Sequence, residues 1–254
     1  MAIRYLKYLI SILLTVALLA SCCSPVIGKK QVKNSTRAND LFKVESFVMI
    51  RVLHLLLYLD CSENNQCKDT VTSSIEGAGS GFIVGSRGNK SYIITAAHVC
   101  SSFNHIAISQ LLNLSTADHF IVRSGTGIAA EAKIIAEDRD LDICLLEADK
   151  IIGPSLKIAE RPPLLHEKIY NMSNIASLAI KNAVPVFDGY YIGNSKRTMI
   201  FTITSYPGSS GSPVMNSKNE VYTIITSAST AIQNYGLGPK HKDFVNFIQK
   251  NLQN

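Results

Sequence analysis

The chain contains no tryptophan, and aromatic residues of all kinds make up only 7% of it. Charged residues are also sparse, 17% against 46% hydrophobic, which excludes a disordered chain and indicates a globular one. The formal net charge of +6 is not gathered into one long run. Lys29, Lys30, Lys33 and Arg37 lie near the start, and Lys240, Lys242 and Lys250 near the end. Without aromatic and basic residues interleaved, no nucleic-acid partner is expected. The surplus reads as solvated surface charge, with some attraction to an acidic membrane surface. No histidine-rich tract or paired CxxC accompanies the cysteines, so no metal is expected, and nothing indicates a cofactor. No internal repeat of solenoid length is present.

Long apolar runs are lacking too, with an informative exception at the N-terminus. Arg4 and Lys7 precede LISILLTVALLA, a basic region followed by an apolar stretch of about a dozen residues, as in a secretory signal. It is short for a membrane-spanning helix. The next residues, Leu19-Ala20-Ser21-Cys22, resemble a bacterial lipobox, in which the cysteine is lipidated and becomes the new N-terminus. An ordinary signal cleaved near Ala20 and an uncleaved anchor are the other readings. The lipobox implies a signal peptide over 1–21, lipidation at Cys22 and attachment to the membrane through that lipid. Cys23 rather than aspartate follows, which in such proteins disfavours inner-membrane retention. The expected location is the bacterial cell envelope, lipid-anchored on the periplasmic face, or secretion. Residues 22–44 are polar and basic, with Pro25, Gly28, Asn34 and Asn39, and read as a flexible tether.

Export bears on the other cysteines. In an oxidising compartment Cys61 and Cys67, in DCSENNQCKD, read as a disulfide stapling a hairpin tip, worth on the order of 2 kcal/mol for so short a loop. Metal binding is the rival reading.

From Glu45 the pattern becomes a series of short β-type runs bounded by Gly, Asn, Asp or Ser: ESFVMIRVLHLLLYL, GSGFIVG, SYIITAA, HFIVRS, EAKIIAE and LDICLLE. The apolar run 52–59 could be helical, but Val48, Ile50 and Val52 alternating with Met49 and Arg51 favour a strand. A proline-rich gap at 153–167 reads as a linker. A second set follows: KIYNM, VPVFDGYYIG, RTMIFTITS, GSPVMN and EVYTIITSAS. The final PKHKDFVNFIQKNL places Phe244, Val245, Phe247, Ile248 and Leu252 at helical spacing, predicting one amphipathic helix over about 240–252 that opens at Pro239. The expected class is all-β: two similar β units, about 45–150 and 165–235, closed by a C-terminal helix.

Three short stretches carry chemistry. SYPGSSGSPVM at 205–215 is by itself an ordinary Ser-Gly-Pro loop. IITAAHVC places His98 at the end of a strand. DRDLDICLLEA places Asp142 at the head of an apolar strand that would carry the carboxylate toward the interior, where it needs a partner. Asp138 and Asp140 compete with it, but their context is that of a solvated loop. The order His98, Asp142, Ser210 is that of a nucleophilic triad.

TAAHV at 95–99, DICLL at 142–146 and GSSGSPV at 208–214 resemble the three signatures of trypsin-like serine proteases. GAGSGFIV at 77–84 is similar to the HtrA branch of that family. The resemblance covers roughly 45–252. It implies two six-stranded antiparallel barrels with the site between them, His98 and Asp142 from the first and Ser210 from the second. It places the nucleophile at Ser210 and an oxyanion hole at the N–H groups of Gly208 and Ser210. Zymogen-activated members have aspartate before the nucleophile; Ser209 stands there instead, so activation by a newly cut N-terminus is not expected. Thr204, six residues before the nucleophile, falls at the base of the first specificity pocket, and Thr226 to Ser229 (Ser227, Ala228 and Ser229 among them) line its wall. With no acid at that base, small or medium uncharged residues are the expected preference. HtrA relatives usually carry a PDZ domain after the protease, and none is expected here. Cys100 and Cys144 follow His98 and Asp142 by two residues each; a bridge between them is one reading, and two buried free thiols acting as small apolar residues is the favoured one.

The implied function is an exported, lipid-anchored serine endopeptidase acting on protein or peptide substrates. The second reading is a catalytically silent member of the fold that binds a partner in the envelope. A serine hydrolase of another fold is rejected, because its histidine would come last in the chain.

Overall fold

The computed structural model describes residues 41–61, 67–101, 115–229 and 234–252, without the side chains of 59–61, 67–69 and 72. The signal peptide, Cys22 and the tether as far as residue 40 lie outside it. Alternation decides the first strand: Val48, Ile50 and Val52 are buried while Met49, Arg51 and Leu53 face outward, so β1 (Phe47–Cys61) runs through the whole apolar stretch. Beside it lies β2 (Cys67–Arg87), twenty-one residues long and far longer than GSGFIVG alone suggests. Its first half is rich in Thr, Val and Ser, which suits pairing with β1 as far as Cys61 opposite Cys67. The side chains of these two cysteines, and hence their predicted disulfide, lie outside the described residues. With β3 (Lys90–Thr95), β4 (Ser115–Ser124), β5 (Ala129–Asp138) and β6 (Ile143–Ala148), these strands close an antiparallel barrel in the order β1-β2-β3-β6-β5-β4.

The second half is a sheet of eight strands where six were expected. They are β7 (Lys157–Ile158), β8 (Lys168–Met172), β9 (Val186–Asn194), β10 (Thr198–Phe201), β11 (Pro213–Met215), β12 (Glu220–Ile224), β13 (Ser227–Ala228) and β14 (Gly236–Pro239). Their order is β13-β14-β10-β9-β8-β11-β12-β7, antiparallel except for β12 with β7. The extra strand β7 comes from the proline-rich gap. That segment is docked rather than free, because Leu156 and Ala159 are buried and the Ala159 N–H donates to Val221 O at 2.9 Å.

Two boundaries move. The helix, α2 (His241–Leu252), opens after Pro239, which ends β14 instead; His241 Nδ1 lies 2.7 Å from Tyr222 O. Its buried Phe244, Phe247 and Ile248 join a core that also holds Phe82, Ile143 and Leu145 of the barrel and Met215 and Val221 of the sheet. The helix therefore ties the two halves together by apolar burial. Residues 41–44, read as the end of the tether, pack on the domain: Phe42 is 6% exposed and lies 5.1 Å from the Tyr170 ring, and Asn219 Nδ2 donates to Leu41 O. A hydrophobic residue in a polar stretch finds a pocket that the local pattern cannot reveal. No helix among the described residues is long and apolar enough to cross a membrane.

Candidate active site

At Ala96 the buried β3 ends in extended backbone, and the chain turns into the four-residue helix α1 (Ala97–Cys100). The cap residue Ala96 has no side chain to satisfy the first free N–H groups. The Asp142 carboxylate does so: Oδ1 accepts from the His98 N–H at 2.9 Å, and Oδ2 lies 2.8 Å from His98 Nδ1. One carboxylate thus fixes both the backbone and the ring of His98. His98 Nε2 is in turn 2.7 Å from Ser210 Oγ. With Nδ1–H donated to Asp142, Nε2 is left as the acceptor for the serine hydroxyl.

Asp142 is not carried inward as its strand suggested. It sits just before β6 in a left-handed turn (φ 55°), a conformation that aspartate tolerates better than most residues, and its side chain is 28% exposed. That turn lets the carboxylate point at His98 while Ile143 begins the buried part of the strand. Asp138 accepts from the Leu141 N–H at 2.9 Å and shapes the turn, and Asp140 is exposed. Neither reaches His98.

Cys100 and Cys144 form a disulfide rather than two free thiols. The β3–β6 register sets Thr95 opposite Cys144, and α1 folds back over that position, bringing the two Cα atoms to 6.6 Å. The bridge links the segment of the base to that of its orienting carboxylate.

The serine loop is held by local and remote bonds. Ser209 Oγ donates to Tyr206 O at 2.6 Å and accepts from the Tyr206 N–H at 3.2 Å, closing the turn before the nucleophile. Gly208 (φ 94°) and Gly211 (φ 84°) occupy left-handed backbone. A Cβ on Gly208 would fall on Asn174 O, and one on Gly211 on Ser80 O and Thr95 Oγ1. Both positions therefore require glycine. Among the described residues, the N–H groups of Gly208 and Ser210 have no acceptor within the protein.

Sequence reasoning assigned no role to Ser80, yet it is the centre of this arrangement and fully buried. Its N–H donates to Ser210 O at 2.8 Å. Its Oγ donates to Gly208 O at 2.6 Å and accepts from the Asn174 N–H at 2.9 Å. Its carbonyl accepts from Thr95 Oγ1 at 2.7 Å. The available signal was a serine between two glycines just before the apolar run Phe82–Val84. Asn174 and Ala176, whose N–H donates to Pro207 O at 2.9 Å, were likewise missed, since their loop carries no motif.

The predicted specificity segment follows Ile225, whose carbonyl accepts from the Gly211 N–H at 2.7 Å. Thr204 is partly buried, with Oγ1 donating to Asn234 Oδ1 at 3.2 Å. Ser227 and Ala228 form the exposed edge strand β13, and the Ser229 N–H donates to Tyr235 O at 2.9 Å. Next to Thr204, Ser205 Oγ is buried without a partner among the described residues. Among those residues no cluster of three or more His, Cys, Asp or Glu is placed to hold a metal ion.

The sheet is anchored beneath by Tyr222, 1% exposed, whose hydroxyl donates to Glu167. Burial, and then the Glu167 carboxylate, push the Tyr222 phenol up to about 12. Burial raises the Glu167 carboxyl, but the bonds from Tyr222, the Leu164 N–H and Arg161 outweigh it and hold it below its ordinary value.

A closed antiparallel barrel and a second β sheet, with Asp, His and Ser in hydrogen-bonded series where they meet, define the two-unit serine-peptidase class. The family model described as the trypsin-like peptidase domain matches residues 79–224, more than half of the chain, and the chain belongs to that family. Its fold is similar to the serine endoprotease from Yersinia pestis, with a TM-score of 0.59 and 18% sequence identity over 83% of this chain and 64% of that one. It is also similar to the inactive form of a serine-to-alanine mutant of Rv3671c from M. tuberculosis H37Rv, with a TM-score of 0.56 and 14% identity over 83% of this chain and 89% of that one. This chain thus spans just under two thirds of the Yersinia protein's length. A comparison with curated proteins finds no match.

Proposed function

We propose that the protein is an exported, lipid-anchored serine endopeptidase that cuts peptide bonds through His98, Asp142 and Ser210 by way of an acyl-enzyme intermediate. The observation that carries this reading is the continuous series Asp142–His98–Ser210, with heavy-atom separations of 2.8 and 2.7 Å. Ser210 Oγ attacks the scissile carbonyl while His98 Nε2 takes its proton. The oxyanion forms against the N–H groups of Gly208 and Ser210, each such donor being worth about a hundred- to a thousandfold in rate. His98 then gives the proton to the leaving amine, and a water activated by the same ring releases the acyl half. Asp142 holds the ring tautomer and stabilises the imidazolium throughout.

Ser209 supports activity without N-terminal cleavage, because its bonds to Tyr206 order the loop locally. The edge strand β13 is open to the acyl half of a substrate as an added strand. Thr204 offers no charge at the pocket base, which favours small or medium uncharged residues before the cut. Cys22 and the apolar run before it support lipid anchoring in the bacterial envelope.

The test is labelling of the protein with a fluorophosphonate, followed by peptide mapping, beside Ser210→Ala and His98→Ala. A label on Ser210, absent from S210A and strongly reduced in H98A, is the expected result. No label on the folded protein refutes a catalytic reading. Mass analysis of the N-terminal peptide from membranes tests the anchor, with a diacylglyceryl group on Cys22 expected.

A further inference from the structure

We propose that a basic groove beside the oxyanion loop binds the leaving-group half of the substrate and favours an acidic side chain within the first few residues after the scissile bond. This rests on the peptidase reading above.

The groove follows from strand register. Because Val48, Ile50 and Val52 fill the barrel, Met49 and Arg51 must face outward. Pairing sets Arg51 opposite Ala78 of β2 and Ile121 of β4, and Met49 opposite Arg123 of β4. These residues form one outer wall. The facing wall is the 174–181 loop of the second half, tethered by Ala176 N–H to Pro207 O and by Asn182 N–H to Gly125 O at 2.7 Å. Lys181 lays its aliphatic stem over Gly127. Between the walls is a cavity of about 490 Å³ lined by Arg51, Arg123 and Lys181 and by no carboxylate. Glu76 pairs with Arg51 at 3.3 Å, both well exposed. Among the described residues Arg123 and Lys181 have no ion-pair partner.

Its position assigns it a half of the substrate. Ala78 lines the groove two residues before Ser80, whose N–H holds Ser210 O. Asn174, also in the lining, donates to the Ser80 Oγ that binds Gly208 O. The groove therefore abuts the oxyanion loop. On its other flank, the Gly211 N–H holds Ile225 O at 2.7 Å, leading to the Thr226–Ser229 edge where the acyl half pairs. A peptide that follows that edge past Ser210 leaves along the groove. A concave site with cations and no anion in its lining raises the local potential, so it attracts carboxylates and repels ammonium groups.

Each exposed ion pair is worth up to about fivefold, so two or three give roughly tenfold at low ionic strength and less as salt screens them. The test uses peptides with one acyl half and leaving halves carrying Glu, Gln or Lys, with kcat/KM measured on the intact protein at low and high salt. The expected order is Glu above Gln above Lys, spread about tenfold across the series at low salt and compressed at high salt. The Arg123→Gln/Lys181→Gln double variant should bring the Glu-to-Gln ratio close to one, and Arg123→Glu/Lys181→Glu should reverse it. Equal cleavage of all three peptides, or a preference that survives the double variant, overturns the subsite while leaving the peptidase reading intact. Failure to cut any peptide, together with no fluorophosphonate label, overturns the peptidase reading and the subsite with it.

Discussion

Removing the Cys100–Cys144 bridge should cost the domain a large part of its stability and loosen its catalytic base. The bridge closes a loop with a sequence separation of 44 residues. In the chain-entropy model, a loop of that length stabilises the folded state by about 4 kcal/mol, through the freedom it takes from the unfolded chain. Both cysteines are fully buried, so Cys100→Ala/Cys144→Ala adds a packing loss on the order of 1 kcal/mol. For a domain of this size, each kcal/mol moves the Tm by roughly 2–4 °C, so a fall of about 10–20 °C is expected. The assay is urea unfolding of the oxidised protein, the reduced protein and the double variant, extrapolated linearly to water. The oxidised protein should unfold at the highest urea concentration, and reductant should lower its midpoint by more than it lowers that of the variant, which keeps Cys61 and Cys67. Because the bridge joins positions two residues beyond His98 and Asp142, fluorophosphonate labelling of Ser210 should also slow in the variant under conditions where it remains folded. Two free thiols in the native protein, or midpoints that coincide with and without reductant, would refute the reasoning.

Three further outcomes follow from the same geometry. Ser80→Ala leaves Gly208 O and the Asn174 N–H buried without their partner, so urea unfolding should show a loss of about 2–4 kcal/mol, with labelling of Ser210 falling further than the small change of side chain suggests; an unchanged labelling rate would remove Ser80 as a positioning residue. Gly208→Ala places a methyl on Asn174 O at φ 94° and should abolish labelling, while a fully active variant would show that the loop does not need this backbone. The Tyr222 phenol ionises near 10 in the unfolded chain and at about 12 in the fold, so the unfolded state loses its proton first. That contribution is complete below pH 10 and fades by about 2–3 kcal/mol as pH rises to about 12, a loss that Tyr222→Phe should not show in alkaline urea titrations. Glu167, held below its ordinary value, acts with the opposite sign: its contribution is present above the usual carboxylate range and fades as pH falls through it.

The barrel was legible because its strands obey a local rule. Val48, Ile50 and Val52 alternate with outward residues, and the apolar runs of β3 and β6 are bounded by turn residues. His98, Asp142 and Ser210 stood out for a different reason: TAAHV, DICLL and GSSGSPV resemble a family's three signatures in the right order, although none of the stretches is distinctive alone. The remainder depends on what faces what. The burial of Phe42 and the docking of β7 are set by partners more than sixty residues away, and the opening of α2 after Pro239 goes with a bond from His241 to a strand 19 residues back. Ser80 could not be weighted for the same reason: its bonds run to residues 94 and 128 positions distant, and only the closed fold makes them neighbours.

By itself, the sequence determined the all-β class, the two-part organisation and the closing helix, because periodicity and turn chemistry act within a few residues, and its family-like motifs pointed to His98, Asp142 and Ser210. It also left Ser209 uncharged before the nucleophile, which excludes a salt bridge to a cut N-terminus. Only tertiary structure decided that Asp142 reaches His98 from a left-handed turn at the surface, that Cys100 and Cys144 are joined, and that Arg51, Arg123 and Lys181 share one groove. Those outcomes depend on register and on the docking of one half against the other, and distance in space between residues far apart in the chain is not encoded in any local pattern.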